Sequence, residues 1–438
     1  MYLCICLLTF IFLIKKLNML RNSLVFLFFI VTQISWAQVK YNSVWRNGFH
    51  SYYVSLIQTD IDDNLVIISS GGGVLKYDHN GDTIFSKNID PNPNDHKNEF
   101  LPEKTFLDSK GNRLFVMKYY KEGTFHCYIT KLNNEGEIIL NTKIIDFNVQ
   151  DVIFDDQDNL YLAGSRITKP PSLIKISSEG KIIWENNTNE TWKSYVSHLV
   201  KAPITQNVYM FVHNPSNQYD KHTTVIKYND NGEKIWSQKI EFEEYNEKII
   251  DVEFDNNENL YVFSYYNSMI KFSPIGERED IKLDYLGNNL EFVINDSNIY
   301  SVGETLEIIK GEKYSHILKI SKMDYEGKVL WSKEFGKGFA PWNRKYTTST
   351  GKHRINNIIF KDDHFFVLFS HSDDFFYGAA VAKFDYQAEI QWYYKDEEKS
   401  QINYAGQNNT KISIGNKSIY ILYDETGNEG IIKLYDCS

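Results

Sequence analysis

Asp151, His198, Asp251, Glu291 and Asn357 each stand at the head of a short, strand-like segment of the chain. If those segments converge on one axis, three carboxylates and an imidazole would line a central channel as a cation site. The simpler alternative is a hydrated channel wall, and we assign no metal to them. A second group lies between Gly336 and His353, where Phe339, Trp342, Arg344 and Tyr346 combine aromatic faces with a cationic fork. Such a set stacks on and clamps a carbohydrate or a peptide. Phe376 and Tyr377 extend it in the next segment, and Tyr219 with His222 offer a smaller cluster. Catalytic signatures are missing. The sequence holds no G-x-S-x-G, H-E-x-x-H, P-loop or dinucleotide fingerprint, so we assign no catalytic residue and no cofactor. A carboxylate pair brought together from distant segments would leave no local trace, which keeps a channel-mouth hydrolase or lyase open.

What positions these residues is a repeat. Eight times a Lys is followed five residues later by a turn position, usually Gly, and in most copies four residues further by a large apolar residue, often Trp. The clearest copies are Lys175-Gly180-Trp184, Lys227-Gly232-Trp236 and Lys322-Gly327-Trp331, and the Lys positions recur every 44 to 61 residues. Such a period marks a repeat architecture. In the copy at 149–187, Val152 to Phe154 reads as a strand, Asp155 to Asn159 as a turn and Leu160 to Leu162 as a second strand. Ser172 to Ile176 and Lys181 to Trp184 give the third and fourth. The Asp-rich turn lacks the twelve-residue spacing and terminal Glu of an EF-hand loop.

Four short strands cannot bury both faces of their own sheet, whereas radial stacking of such sheets can. The fold expected is therefore all-β, a single β-propeller of eight four-stranded blades over 38–438. In it Trp184, Trp236, Trp331 and Trp392 wedge between neighbours. The eighth copy ends five residues after Lys433, and Val44-Trp45 with Phe49 resemble Leu330-Trp331 with Phe335. The N-terminal strand is expected to close the last blade. Turns after the first and third strands of each copy are short and repetitive and share one face. Loops after the second and fourth strands vary, so a ligand is expected on their face.

The G-x-x-x-W half of the unit resembles the tryptophan-docking motif of the quinoprotein (PQQ-dependent) alcohol dehydrogenase-like propellers and of outer-membrane-assembly lipoproteins of that shape. This chain departs from it. Asp78 and Asp324 lie three rather than four positions before Gly, and the adjacent Cys pair of the quinoproteins is absent. The resemblance thus implies the fold and carries no PQQ ligand to a numbered position. Secreted bacterial propeller-repeat proteins look equally similar.

Residues 1–37 read as a signal peptide, with Arg21 before the apolar run Leu24 to Val31 and Ser35-Trp36-Ala37 as the cleavage site, Met19 being an alternative start. Removing Lys15, Lys16 and Arg21, with no acid in the segment, takes the formal charge from −10 to −13. That surface repels phosphate backbones and argues against nucleic acid. Cys127 and Cys437 remain, enough for one bridge at most. These features together predict a secreted or periplasmic, monomeric, non-enzymatic scaffold without a membrane span after cleavage, the alternative being a propeller enzyme, either a polysaccharide hydrolase or lyase or a quinoprotein-like oxidoreductase. The scaffold's expected partner is a protein or a carbohydrate.

Overall fold

A computed structural model of the chain describes Val44–Trp45 and residues 54–69, 71–90, 100–215, 222–241, 249–265, 268–284, 286, 288–295, 298–309, 313–335, 352–361, 363–372, 377–395, 411–425 and 428–435. Among these, strands form eight four-stranded antiparallel sheets, which we number in chain order, with strands a to d running outward. In the third sheet they are Asn148–Phe154, Leu160–Ser165, Pro171–Ile176 and Ile182–Asn187. The eighth combines Lys411–Ile414, Ser418–Glu425 and Asn428–Tyr435 with Val44–Trp45 on its outer edge, Val44 opposite Ile432 and Trp45 opposite Ile431. The a strands of successive sheets touch in cyclic order, and that of the eighth touches that of the first. This is a β-propeller.

Each apolar cluster lies between two neighbouring sheets. Leu114, Val116, Val152 and Leu162 join the second to the third, while Leu65, Ile67, Tyr420 and Leu422 join the first to the eighth. No sheet therefore has a core of its own, which is why the repeat is needed for stability.

The recurrent residues each have a mechanical part. Asp155 closes the a–b turn by accepting the amides of Gln157 and Asn159 at 2.9 and 2.8 Å and the Asn159 side chain at 3.0 Å. Asp60, Asp108 and Asp255 bind the Asn four residues on in the same way. In the c–d turn, Gly232 has φ +84°, a left-handed conformation that favours glycine. A Cβ there would also sit 2.8 Å from the Trp184 ring. That ring belongs to the preceding sheet, and its indole N–H donates to the Asp230 carbonyl at 3.1 Å. Trp236 repeats the arrangement with Pro274 and Gly276. In the fifth sheet Asp280 stands at the Trp spacing, and the next residue, Ile281, packs against Gly327 instead. The motif Lys lies beneath. Lys175 is buried between Asp155 and Asp230, with its ammonium 5.0 Å from the centre of the Tyr161 ring.

Two expectations change. Cys127 is a free and fully buried thiol, its pKa raised by that burial, and Cys437 lies outside the described residues. His222 is buried beside Glu190 at 3.7 Å because it is the first residue of the third strand of the fourth sheet, His222–Tyr228, and not part of the loop before it. Tyr219 is outside the described residues.

Candidate functional site

Every a strand of the first seven sheets carries a register shift near its start. A bulge bends the strand and re-aims the next side chain. The residues just past it are Leu56, Lys104, Asp151, His198, Asp251, Glu291 and Asn357, a ring of equivalent positions on the innermost strands. Lys411 holds the corresponding position in the eighth, opposite Leu422. Asp151, His198 and Glu291 lie three residues inside the variable-loop end of their strands. At about 3.3 Å per residue that is roughly 10 Å below the rim.

The ring divides into two sectors. In the first, Lys104 Nζ donates to Asp151 Oδ1 at 2.5 Å and to the Val152 carbonyl at 3.1 Å. Asp151 Oδ2 accepts the Leu199 amide of the next sheet at 2.7 Å. His198 follows, its Nδ1 3.2 Å from Ser197 Oγ and its ring edge-on to Phe211. Burial lowers its pKa, Asp151 opposes that, and Lys104 adds to it. The imidazole is therefore neutral at pH 7. This sector is internally paired.

The second sector is acidic. Asp251 Oδ2 accepts the Phe292 amide of the sixth sheet at 2.7 Å and Oδ1 the Val252 amide at 2.8 Å, yet burial still raises its pKa. Glu253, two residues along the same strand, is pushed up to about 8 by burial and by the Asp251 charge, with the Phe254 amide opposing. Glu291 rises to about 7 because the surrounding protein desolvates it and Asp251 repels its charge, although part of the side chain is exposed. Among the described residues no cation offsets these three carboxylates. Nor does any group of three or more His, Cys, Asp or Glu stand close enough to hold a metal ion. The carboxylates and imidazole share one ring but do not converge on one point, because each is held by its own strand.

Above the ring, the variable-loop face exposes an apolar and aromatic surface. Ile145 (65% exposed) follows the fourth strand of the second sheet, Ile138–Ile144, and Ile167 (48%) lies in the b–c loop of the third. Trp192 (58%) sits on the connector from the third to the fourth sheet, and Tyr195 (43%) starts the next a strand. That connector is pinned. The Thr188 amide donates to Pro171 at 2.8 Å, Thr191 and Ser194 side chains meet at 3.2 Å, and Glu190 accepts from Thr224 at 2.7 Å. Trp192 lies under the Lys193 ammonium, and Tyr195 tilts against His213 with ring centres 5.1 Å apart. The nearby Arg166 fork is spent on Glu185, at 3.1 and 2.9 Å, and on the Ile145 carbonyl at 2.7 Å.

Phe339, Trp342, Arg344, Tyr346 and Phe376 lie outside the described residues, while Tyr377 opens the third strand of the seventh sheet. Trp192 and Tyr195 escape a search for long loops because their connector is short. Lys104 escapes a search for acids. It was nevertheless legible, since Leu56, Lys104, Asp151 and Asp251 all lie eight residues before the Asn of the a–b turn.

No family model matches the chain, and no curated protein does. Among solved structures it is similar to BamB from Moraxella catarrhalis, at 10% identity and TM-score 0.47 over 92% of this chain and 99% of that one. It is also similar to the WD40 domain of SCAP from fission yeast, at 9% identity and TM-score 0.48 over 90% and 98%. Prolyl oligopeptidase B from Galerina marginata matches at 11% identity and TM-score 0.49, over 86% of this chain and 56% of that one. Likeness at this level concerns fold alone.

Proposed function

We propose that the chain is a secreted or periplasmic propeller scaffold that binds a protein or a glycan through its variable-loop face. The observation that carries this is the pinned connector, which holds Trp192 in water beside Tyr195 when the scaffold beneath is fully packed. With Ile145, Ile167 and Tyr195 exposed on the same face, that indole makes the kind of apolar surface that marks an interaction site. We count Phe339, Trp342, Arg344, Tyr346, Phe376 and Tyr377 with the same face, and Asp151, His198, Asp251 and Glu291 with its channel. A second reading, a channel-mouth hydrolase or lyase, is favoured by one observation. Glu253 and Glu291 are carboxylic acids with raised pKa beside the ionisable Asp251, a pairing that suits general acid and base roles.

The test is the mature chain on a glycan array and against immobilised envelope proteins. A ligand whose affinity falls at least about tenfold in the Trp192→Ala/Tyr195→Ala pair supports the reading, this being the effect of a hot-spot aromatic. A ligand held equally well by that variant refutes it, and glycan cleaved rather than retained favours the enzyme.

We further infer that the eight sheets are the blades of one ring closed by the N-terminal strand, and that residues 1–37 are a removed signal. Support comes from the pairing of Val44–Trp45 with the eighth sheet and from the cyclic contacts of the a strands. Deleting residues 38–49 is expected to expose an unpaired edge, lower the melting temperature and promote aggregation. An unchanged melting temperature in light-scattering-monitored thermal unfolding would count against closure.

A further inference from the structure

Resting on that reading, we propose that the occupant is a polypeptide segment that lays apolar side chains on Ile145, Ile167, Trp192 and Tyr195 and directs a lysine or arginine down the channel toward Asp251 and Glu291.

The choice between peptide and glycan follows from what the surface leaves unspent. A sugar site needs aromatic faces ringed by free donors and acceptors. Here the Arg166 fork and one oxygen of the Glu190 carboxylate are consumed within the scaffold, and the Lys193 ammonium lies over the Trp192 ring that a sugar would stack on. What remains exposed includes two isoleucines, whose branched side chains offer no flat face to a sugar ring but pack well against aliphatic or aromatic residues.

The charge follows from the channel. Lys104 neutralises Asp151, and neutral His198 separates that pair from the next sector. Among the described residues Asp251, Glu253 and Glu291 have no cation paired with them, and the whole chain is acidic at −10. A lysine or arginine stem is apolar and thin, so it can cross the apolar rim and deliver its charge below. Patch and acidic sector also sit on neighbouring strands. Tyr195 and His198 share the strand Tyr195–Lys201, whose neighbour Ile249–Phe254 carries Asp251. Complementary charge of this kind orients a partner and speeds its docking.

Panning a random twelve-residue peptide phage library on the mature chain tests this. The expected consensus joins aromatic or aliphatic residues to a Lys or Arg. Its synthetic peptide should bind at least tenfold more weakly to Trp192→Ala and to Asp251→Asn/Glu291→Gln, and should lose affinity with added salt. Replacing the peptide's own Lys or Arg by Gln should give the same loss, an arm that does not depend on the folding of any variant. A consensus without a basic residue, or one bound unchanged by the double carboxyl variant, overturns the cationic anchor while leaving the aromatic face in use. Retention of glycans on the array with no peptide enrichment overturns the polypeptide occupant but keeps the face. If neither probe depends on Trp192, this inference and the reading beneath it fail together.

Discussion

Replacing Lys175 by Met is expected to destabilise the protein by about 3–5 kcal/mol, the usual cost of removing one partner from a buried ion pair. The Lys175 side chain is 4% exposed and the Asp155 side chain 5%. Without the ammonium, the Asp155 carboxylate stays in a dry site with only the three donors of its own turn. Asp230, half-exposed, can turn to water, though its contact with the Tyr161 hydroxyl at 2.5 Å also fixes the next sheet's turn. The loss therefore spreads across the seam between the third and fourth sheets, where the Trp184 indole docks. A rim pair of the same chemistry is the control. Lys333 and Glu389 are both substantially exposed, and Lys333→Ala should cost less than about 1 kcal/mol. Calorimetry of the two variants measures the contrast, and adding Asp155→Asn to Lys175→Met should recover part of the loss. A Lys175→Met protein melting within about a degree of the parent would refute this account of the repeat's lysine.

That lysine also shows how far the sequence could be read. Its period revealed the architecture, because a residue that recurs at a fixed distance from a turn glycine must serve the same local geometry each time. The role of Trp184 and Trp236 as wedges was likewise legible, since a large aromatic four residues past a turn has only the neighbouring sheet to pack on. Why the position is Lys was not legible, because its partners Asp155 and Asp230 come from two different copies of the repeat. The same limit applied to the channel. Asp151, His198, Asp251 and Glu291 were visible as polar heads of strands and Lys104 shared their spacing, but the pairing of Lys104 with Asp151 and the place of Glu253 beside Asp251 were not legible. Charge balance around a ring depends on which copies are adjacent and which bulge re-aims each side chain, and a single segment carries neither. Trp192 marks the other gap, since loop length ranked the candidate surfaces and burial did not follow length.

The acidic sector makes the protein's stability fall as pH rises through neutrality. Glu253 has a folded pKa of about 8 and Glu291 of about 7, both above the ordinary value of 4.5. For a raised pKa the folded chain holds protons that the unfolded chain would release. The contribution is complete below about pH 4.5 and is lost progressively up to about pH 8. For Glu253 alone the loss is on the order of a few kcal/mol, since each unit of displacement corresponds to about 1.4 kcal/mol. Asp60, Asp108 and Asp230 act with the opposite sign. Their pKa values are lowered, burial opposing the hydrogen bonds and lysines that hold them charged, so their contribution disappears as pH falls through and below 3.8. The melting temperature should therefore peak in weak acid and decline toward pH 8.5. Glu253→Gln removes the largest ionisation on the alkaline limb, and should raise the melting temperature at pH 8.5 by several degrees while changing it little at pH 5. Because Asp251 joins the fifth and sixth sheets through the Phe292 amide, hydrogen exchange of the strand Asn288–Asn295 should quicken over the same interval in the parent and less in the variant. A flat melting profile between pH 5 and 8.5, or equal slopes for parent and variant, would mean that these carboxylates are fully hydrated and that the channel is open water at their depth.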